Sequence, residues 1–159
     1  MLEEKLKIKI TKDGDKTRVF LTGVIDEDSV LGHIEKIQTP IILNFKGLTG
    51  LNSVGIRIFM KTLEVVSSRG LYFEECPAIV VRQMSMVPMF MGKAKVLSVY
   101  APFVCVACEA EKMILLSQEK FANGKLDLPA NLDCEYCKQG KMEFDGNPAK
   151  YFAFAAPKP

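Results

Sequence analysis

Four of the five cysteines stand as two C-x-x-C pairs, CVAC at Cys105 and Cys108 and CEYC at Cys134 and Cys137, with 25 residues between them. Two thiols at this spacing sit at the two ends of one tight turn. Two such turns can supply four thiolates to a single tetrahedral metal. This pattern predicts a structural zinc site, because four cysteines close the coordination shell and leave no position for a catalytic water. The gap exceeds the about 15–20 residues usual between such pairs, so a loop or hairpin is expected between the knuckles. Reduced thiols, redox pairs and a rubredoxin-like iron site are the competing readings. Iron is disfavoured because neither pair is followed directly by the glycine typical of such knuckles. The fifth cysteine, Cys76, reads as a buried structural thiol at a strand end.

Zinc also bears on charge. The chain carries 21 basic and 19 acidic side chains, a formal net charge of +2. Four thiolates and one divalent ion contribute −2, bringing the total to about zero. No strong field therefore favours nucleic acid or an anionic membrane. The longest uncharged stretch, Val96 to Cys108, is 13 residues and too short to span a bilayer, so no membrane insertion is expected. The N-terminal run MLEEKLKIKI has charges throughout and no apolar h-region, unlike a secretory signal, so a cytoplasmic, reducing location is expected. Across 159 residues, 48% are hydrophobic and 25% charged, enough to bury a core without disulfides. The one histidine, His33, falls in a helical pattern far from the cysteines and reads as a helix-face residue. With no nucleophile–base pair, P-loop or dinucleotide fingerprint, the reading is of a protein that is not an enzyme.

Periodicity gives an alternating order. Leu6, Ile8 and Ile10 alternate with lysines as a strand, Asp13-Gly14-Asp15 is a hairpin turn, and Thr17 to Thr22 returns. Asp26 to Ser29 can start a helix carrying Val30, Leu31, Ile34 and Ile37, stopped by Pro40. Ile41 to Phe45 is a strand covered on both faces, Gly47 to Gly50 a loop, and Asn52 and Ser53 cap a helix striped by Ile58, Phe59, Leu63 and Val66. Leu71 to Glu75 is a strand, Pro77 opens a third helix that Pro88 ends, and Lys95 to Val104 is a last core strand running into CVAC. The predicted fold is α/β, a mixed sheet with helices packed on it in the order β-β-α-β-α-β-α-β, over residues 1–104. Residues 105–159 form a small zinc-ribbon-like appendage, with strands at Lys112 to Gln118 and Lys141 to Asp145 and a terminal turn carrying Tyr151, Phe152 and Phe154. The final APKP is expected to be loose.

Three segments carry a family resemblance: LTGVID at Leu21 to Asp26, IILNFKGLTGLNSVGIRIFMKTL at Ile41 to Leu63, and the helix-then-strand run from Pro77 to Val104. Together they resemble the STAS family of anti-sigma-factor antagonists over about two thirds of the chain. The whole layout is similar to bacterial STAS proteins with a C-terminal zinc-binding tail. The family's motif at the start of the second helix is Asp-Ser-Ser-Gly-like, and its first serine is phosphorylated by a partner-switching kinase. Here the matching residues are Asn52, Ser53, Val54 and Gly55. The resemblance thus implies Ser53 as phosphoacceptor, and Asn52, Val54 and Gly55 as partner contacts. Asn52 replaces the usual acidic residue and Val54 the second serine. The bare alternative is that Asn52 and Ser53 only cap the helix and Gly55 only allows close packing.

Met84, Met86, Met89 and Met91 are half of the eight methionines, and Met84, Met86 and Met89 are candidate partner contacts on adaptable thioethers. The competing reading turns most of them to the core or to the zinc-binding tail. The function expected is a non-enzymatic signalling module binding a protein partner, with an anti-sigma-type serine kinase as the partner implied by the resemblance. Its alternatives are a docking subunit of a sensory complex that is never phosphorylated, and a nucleic-acid-binding zinc ribbon. The last is weakened by 7 basic against 8 acidic side chains in residues 105–159.

Overall fold

The computed structural model describes residues 4–157; Met1–Glu3 of the N-terminal run and Lys158 and Pro159 of the terminal APKP lie outside the described residues. The protein is mixed α/β, with a five-stranded mixed sheet, a four-stranded antiparallel sheet and several short helices. The first sheet has the order β1-β2-β3-β4-β5. Its strands are β1 (Lys7–Asp13), β2 (Lys16–Ile25), β3 (Ile41–Leu51), β4 (Leu71–Glu74) and β5 (Lys95–Val96). β1 and β2 form an antiparallel hairpin, and the remaining neighbours are parallel. Gly14 makes the hairpin turn at φ +62°, a conformation that costs a glycine nothing.

Helices α2 (Ser53–Val66) and α3 (Ala78–Met86) return the chain between parallel strands and cover one sheet face. Val19, Leu43 and Phe73 lie in register across β2, β3 and β4 and are fully buried. Phe45 of β3 meets Phe59 of α2 edge-on at 5.9 Å, and Phe59 stacks on Phe90 at 5.6 Å. Burying such aromatic side chains is worth several kcal/mol in all, at about 1.5–3 kcal/mol each, and fixes the helix layer.

Three local expectations are corrected. The helix expected from Val30 to Ile37 is a single turn, α1 (Gly32–Glu35). Its would-be first turn is held instead by local bonds: the Asp28 N–H donates to the Asp26 carboxylate (2.9 Å), and the Asp26 N–H donates to the Ser29 hydroxyl (2.9 Å). Such side-chain bonds compete with helix formation, and they leave Val30 71% exposed. The expected loop at Gly47 to Gly50 is strand, because β2 runs on to Ile25 and offers a partner. The register shifts twice there, and the glycines permit the close approach: a Cβ on Gly47 would lie 2.8 Å from the Thr22 hydroxyl.

The third correction concerns Lys95 to Val104. This run is two strands in two sheets, broken at Leu97: β5 ends the first sheet, and β6 (Ser98–Cys105) is a central strand of the second. The second sheet has the order β7-β6-β9-β8, with β7 (Glu111–Ser117), β8 (Leu132–Asp133) and β9 (Lys141–Phe144). A polar seam joins the sheets. Asn44, buried in β3, donates to Glu74 (2.9 Å) and Glu75 (2.6 Å), the Tyr100 hydroxyl donates to Glu75 (3.0 Å), and the Glu75 N–H donates to the Ser98 hydroxyl (2.8 Å). Cys76 follows the strained Glu75 (φ +49°), bridges to Val99 and is fully buried, and burial pushes its thiol well up. The terminal turn, α4 (Pro148–Tyr151) and the 3-10 turn Ala153–Ala155, packs back on α3. The Ser85 hydroxyl donates to the Tyr151 carbonyl (2.7 Å), and Tyr151 and Phe152 are buried in the same core as Val80 and Met84.

Candidate metal centre

The first C-x-x-C turn leaves the end of β6, and the second lies between β8 and β9. β6 and β9 are antiparallel neighbours with Cys105 opposite Met142, so strand pairing delivers both turns to one end of the sheet. All four sulfurs lie within 4.8 Å of one another. Cys105 and Cys137 are 3.7 Å apart, and Cys108 and Cys134 are 3.6 Å apart. A tetrahedral ion bonded to sulfur at about 2.3 Å separates its ligands by about 3.8 Å, whereas a disulfide needs about 2.05 Å. The observed spacing fits a shared tetrahedral ion and not two bridges. The four thiols therefore form a set that can hold a metal ion such as zinc.

The two turns are built alike. The Glu109 N–H donates to the Cys105 carbonyl and the Lys138 N–H to the Cys134 carbonyl, both at 3.0 Å. Both residues adopt left-handed backbone, at φ +63° and +59°. This is the position directly after the second cysteine, where the sequence carries glutamate and lysine and no glycine. The knuckle conformation is present without it, at the cost that any side chain meets there. Backbone N–H groups then point at sulfur: Ala107 and Cys108 at Cys105 (both 3.4 Å), and Gly140 at Cys137 (3.3 Å).

These donors favour thiolate. The N–H groups of Gln139 and Gly140 hold the Cys137 thiol down to about 6, and those of Cys137 and Tyr136 lower Cys134. For Cys108 the Ala110 N–H acts downward. Desolvation and the hydrogen bonds shared with the other three thiols outweigh it and push Cys108 up to about 12. Four thiolates this close would repel one another, and a cation bound between them would relieve that repulsion. Cys105 and Cys134, first of each pair, are buried; Cys108 is exposed.

Gly140 is a site residue that spacing alone does not reveal. A Cβ there would lie 2.5 Å from the Cys105 sulfur and 2.6 Å from the Ala107 Cβ. It sits three residues after Cys137 rather than directly after it, and only the packing of one knuckle against the other gives it a role.

The remaining candidates lie elsewhere. Ser53 is exposed as the first residue of α2, and Asn52 caps the helix, its side chain accepting from the Gly55 N–H (2.8 Å). The Asn52 amide donates to Glu27 (2.7 Å), which helps hold that carboxyl below its usual range after the larger effect of a backbone hydrogen bond. Val54 is partly exposed, but Gly55 is buried, and a Cβ on it would lie 2.2 Å from the Ile25 carbonyl oxygen. Gly55 is thus a packing residue where helix meets strand, not a contact open to a partner. Met84 is likewise fully buried, whereas Met86 and Met89 are 75% and 77% exposed. Since α2 and α3 run back against parallel strands, Ser53 lies at one end of the helix layer, and Met86 and Met89 at the other. They do not form one surface. His33 is exposed and distant in sequence from every cysteine. No helix among the described residues is long and apolar enough to cross a membrane. No protein-family model matches this chain, and no curated protein matches it.

Proposed function

We propose that this protein is a non-enzymatic, STAS-like signalling module that binds a protein partner at the start of α2, with a structural zinc ion held by Cys105, Cys108, Cys134 and Cys137. The observation that carries the reading is the placement of Ser53: exposed, at the first residue of a capped 14-residue helix, at the C-terminal end of parallel β3. A helix start carries partial positive charge and free N–H groups, so a phosphate there is tolerated by the fold. The same phosphate adds about −1.5 to −2 charge to a docking surface and turns it off without unfolding it. Val54, the next residue in the chain and partly exposed, supplies apolar contact near the hydroxyl. The mixed sheet with helices on one face is compatible with the STAS resemblance. A zinc assignment rests on the soft, closed four-sulfur set.

A second reading, a docking subunit that is never phosphorylated, has one specific observation in its favour. Glu27 is tied to Asn52 beside Ser53, and its negative charge opposes a phosphate. Partner capture from the source cell with wild type, Ser53→Ala and Ser53→Asp separates the two, alongside mass spectrometry of Ser53. Weak capture by the Asp variant alone supports the switch. Equal capture by all three leaves a docking module in which Ser53 is part of a helix start. Elemental analysis giving about one zinc per chain supports the metal assignment; metal-free protein at full stability refutes it.

A further inference from the structure

The two sheets have four outer strands, and three of them are protected against pairing with another chain. β5 and β8 are two residues each, too short to template a ladder. β1 carries Lys7, Lys9 and Lys12, the charged side chains that keep an edge from being extended. β7 is neither short nor studded with lysines. It is seven residues long, pairs with β6 through an unbroken register from Glu111 to Ser117, and contains no proline, glycine or bulge. Its centre reads Met113-Ile114-Leu115-Leu116, with Met113 44% and Leu115 47% exposed on one face. Its one lysine, Lys112, is paired with Glu135 at 3.4 Å.

We propose that β7 is a self-association edge, pairing antiparallel with β7 of a second copy about a two-fold axis at Ile114 and joining the two four-stranded sheets into one. The strand's pattern selects a second copy as the occupant. Centred on Ile114, the register sets Met113 opposite the partner's Leu115, Lys112 opposite the partner's Leu116, and Glu111 opposite the partner's Ser117. Apolar faces apolar at the centre, and no like charges meet, as an isologous contact requires. Every facing pair is an even number of positions apart in the sequence. Outward-pointing N–H and C=O groups therefore lie opposite one another and close a full ladder. Met113 and Leu115 with their two mates form one continuous apolar patch. The ladder is about 23 Å long at about 3.3 Å per residue, which makes a small contact. Association is therefore weak and concentration-dependent, in the transient class.

The test is sedimentation of the metal-loaded full chain from micromolar to millimolar concentration, comparing three proteins. Wild type is expected to pass from monomer to dimer. Met113→Lys with Leu115→Lys places lysine opposite lysine twice per dimer and is expected to weaken association at least about tenfold. Met113→Glu with Leu115→Lys places opposite charges together and is expected to recover the dimer, now sensitive to salt. Both sites are exposed, so melting temperature and metal content should match wild type. Hydrogen exchange on unmodified protein gives an independent reading: alternate β7 amides should gain protection as concentration rises. Wild type that stays monomeric throughout, or a double-lysine variant that dimerises as wild type does, overturns the proposal.

Discussion

Replacing Gly140 with alanine adds one methyl group beside the four-cysteine set, and the structure sets the size of the effect. The new Cβ would stand 2.5 Å from the Cys105 sulfur and 2.6 Å from the Ala107 Cβ, where ordinary contact begins at 3.4 Å. Relief requires the sulfur or the Gly140 backbone to move by about 0.9 Å, the difference between 2.5 and 3.4 Å. Metal–ligand distances tolerate only about 0.2 Å. The backbone cannot yield freely either, because the Gly140 carbonyl accepts from the Cys134 N–H (3.0 Å) and its own N–H donates to Cys137. Overpacking of this kind costs about 1–3 kcal/mol. At about 1.4 kcal/mol per tenfold, metal affinity falls by about one to two powers of ten. Competition with a chromophoric chelator measures it directly. Gly32→Ala is the control, since nothing lies within 4 Å of its added Cβ. Gly140→Ala with wild-type affinity refutes the claim that the two knuckles are packed against each other through this residue.

Lys138→Gly replaces a side chain held at φ +59° and should raise the thermal midpoint of the loaded protein modestly. The relief of about 1–2 kcal/mol exceeds the roughly 0.4–1 kcal/mol that glycine adds to unfolded-state freedom, and a lower melting temperature contradicts this. Gly55→Ala drives a methyl group against the Ile25 carbonyl and should cost about 1–3 kcal/mol in denaturant unfolding, whereas Ser53→Ala next to it should change stability little. In chelator-treated protein, alkylation followed by mass spectrometry should label Cys137 ahead of Cys108 at neutral pH, although Cys108 is exposed. Cys137 has a folded value below that of a free thiol, so its stabilising contribution is present above the ordinary thiol range and is lost as pH falls through about 6. Equal labelling of Cys137 and Cys108 contradicts the placement of the N–H donors.

Pieces whose chemistry is local were legible in the order of residues alone. Two C-x-x-C pairs announced a four-sulfur set because each pair needs only one turn to aim both thiols. The Asp13-Gly14-Asp15 turn, the Asn52 cap and the strand from Ile41 to Phe45 followed from neighbours within a few residues. Tertiary structure decided what depends on distant partners. Whether Gly47 to Gly50 is loop or strand rests on β2 running alongside it, and whether Lys95 to Val104 is one strand or two rests on which sheet claims each half. Met84 and Met86 are two residues apart and equally apolar. Only the packing of α3 buries the first and leaves the second open. Gly140 joined the four-cysteine set, and β7 became an outer strand, because close approach and strand order are properties of the assembled sheets. Periodicity records which face a segment prefers. Contact between segments far apart in the chain is settled when they compete for the same buried surface and backbone partners.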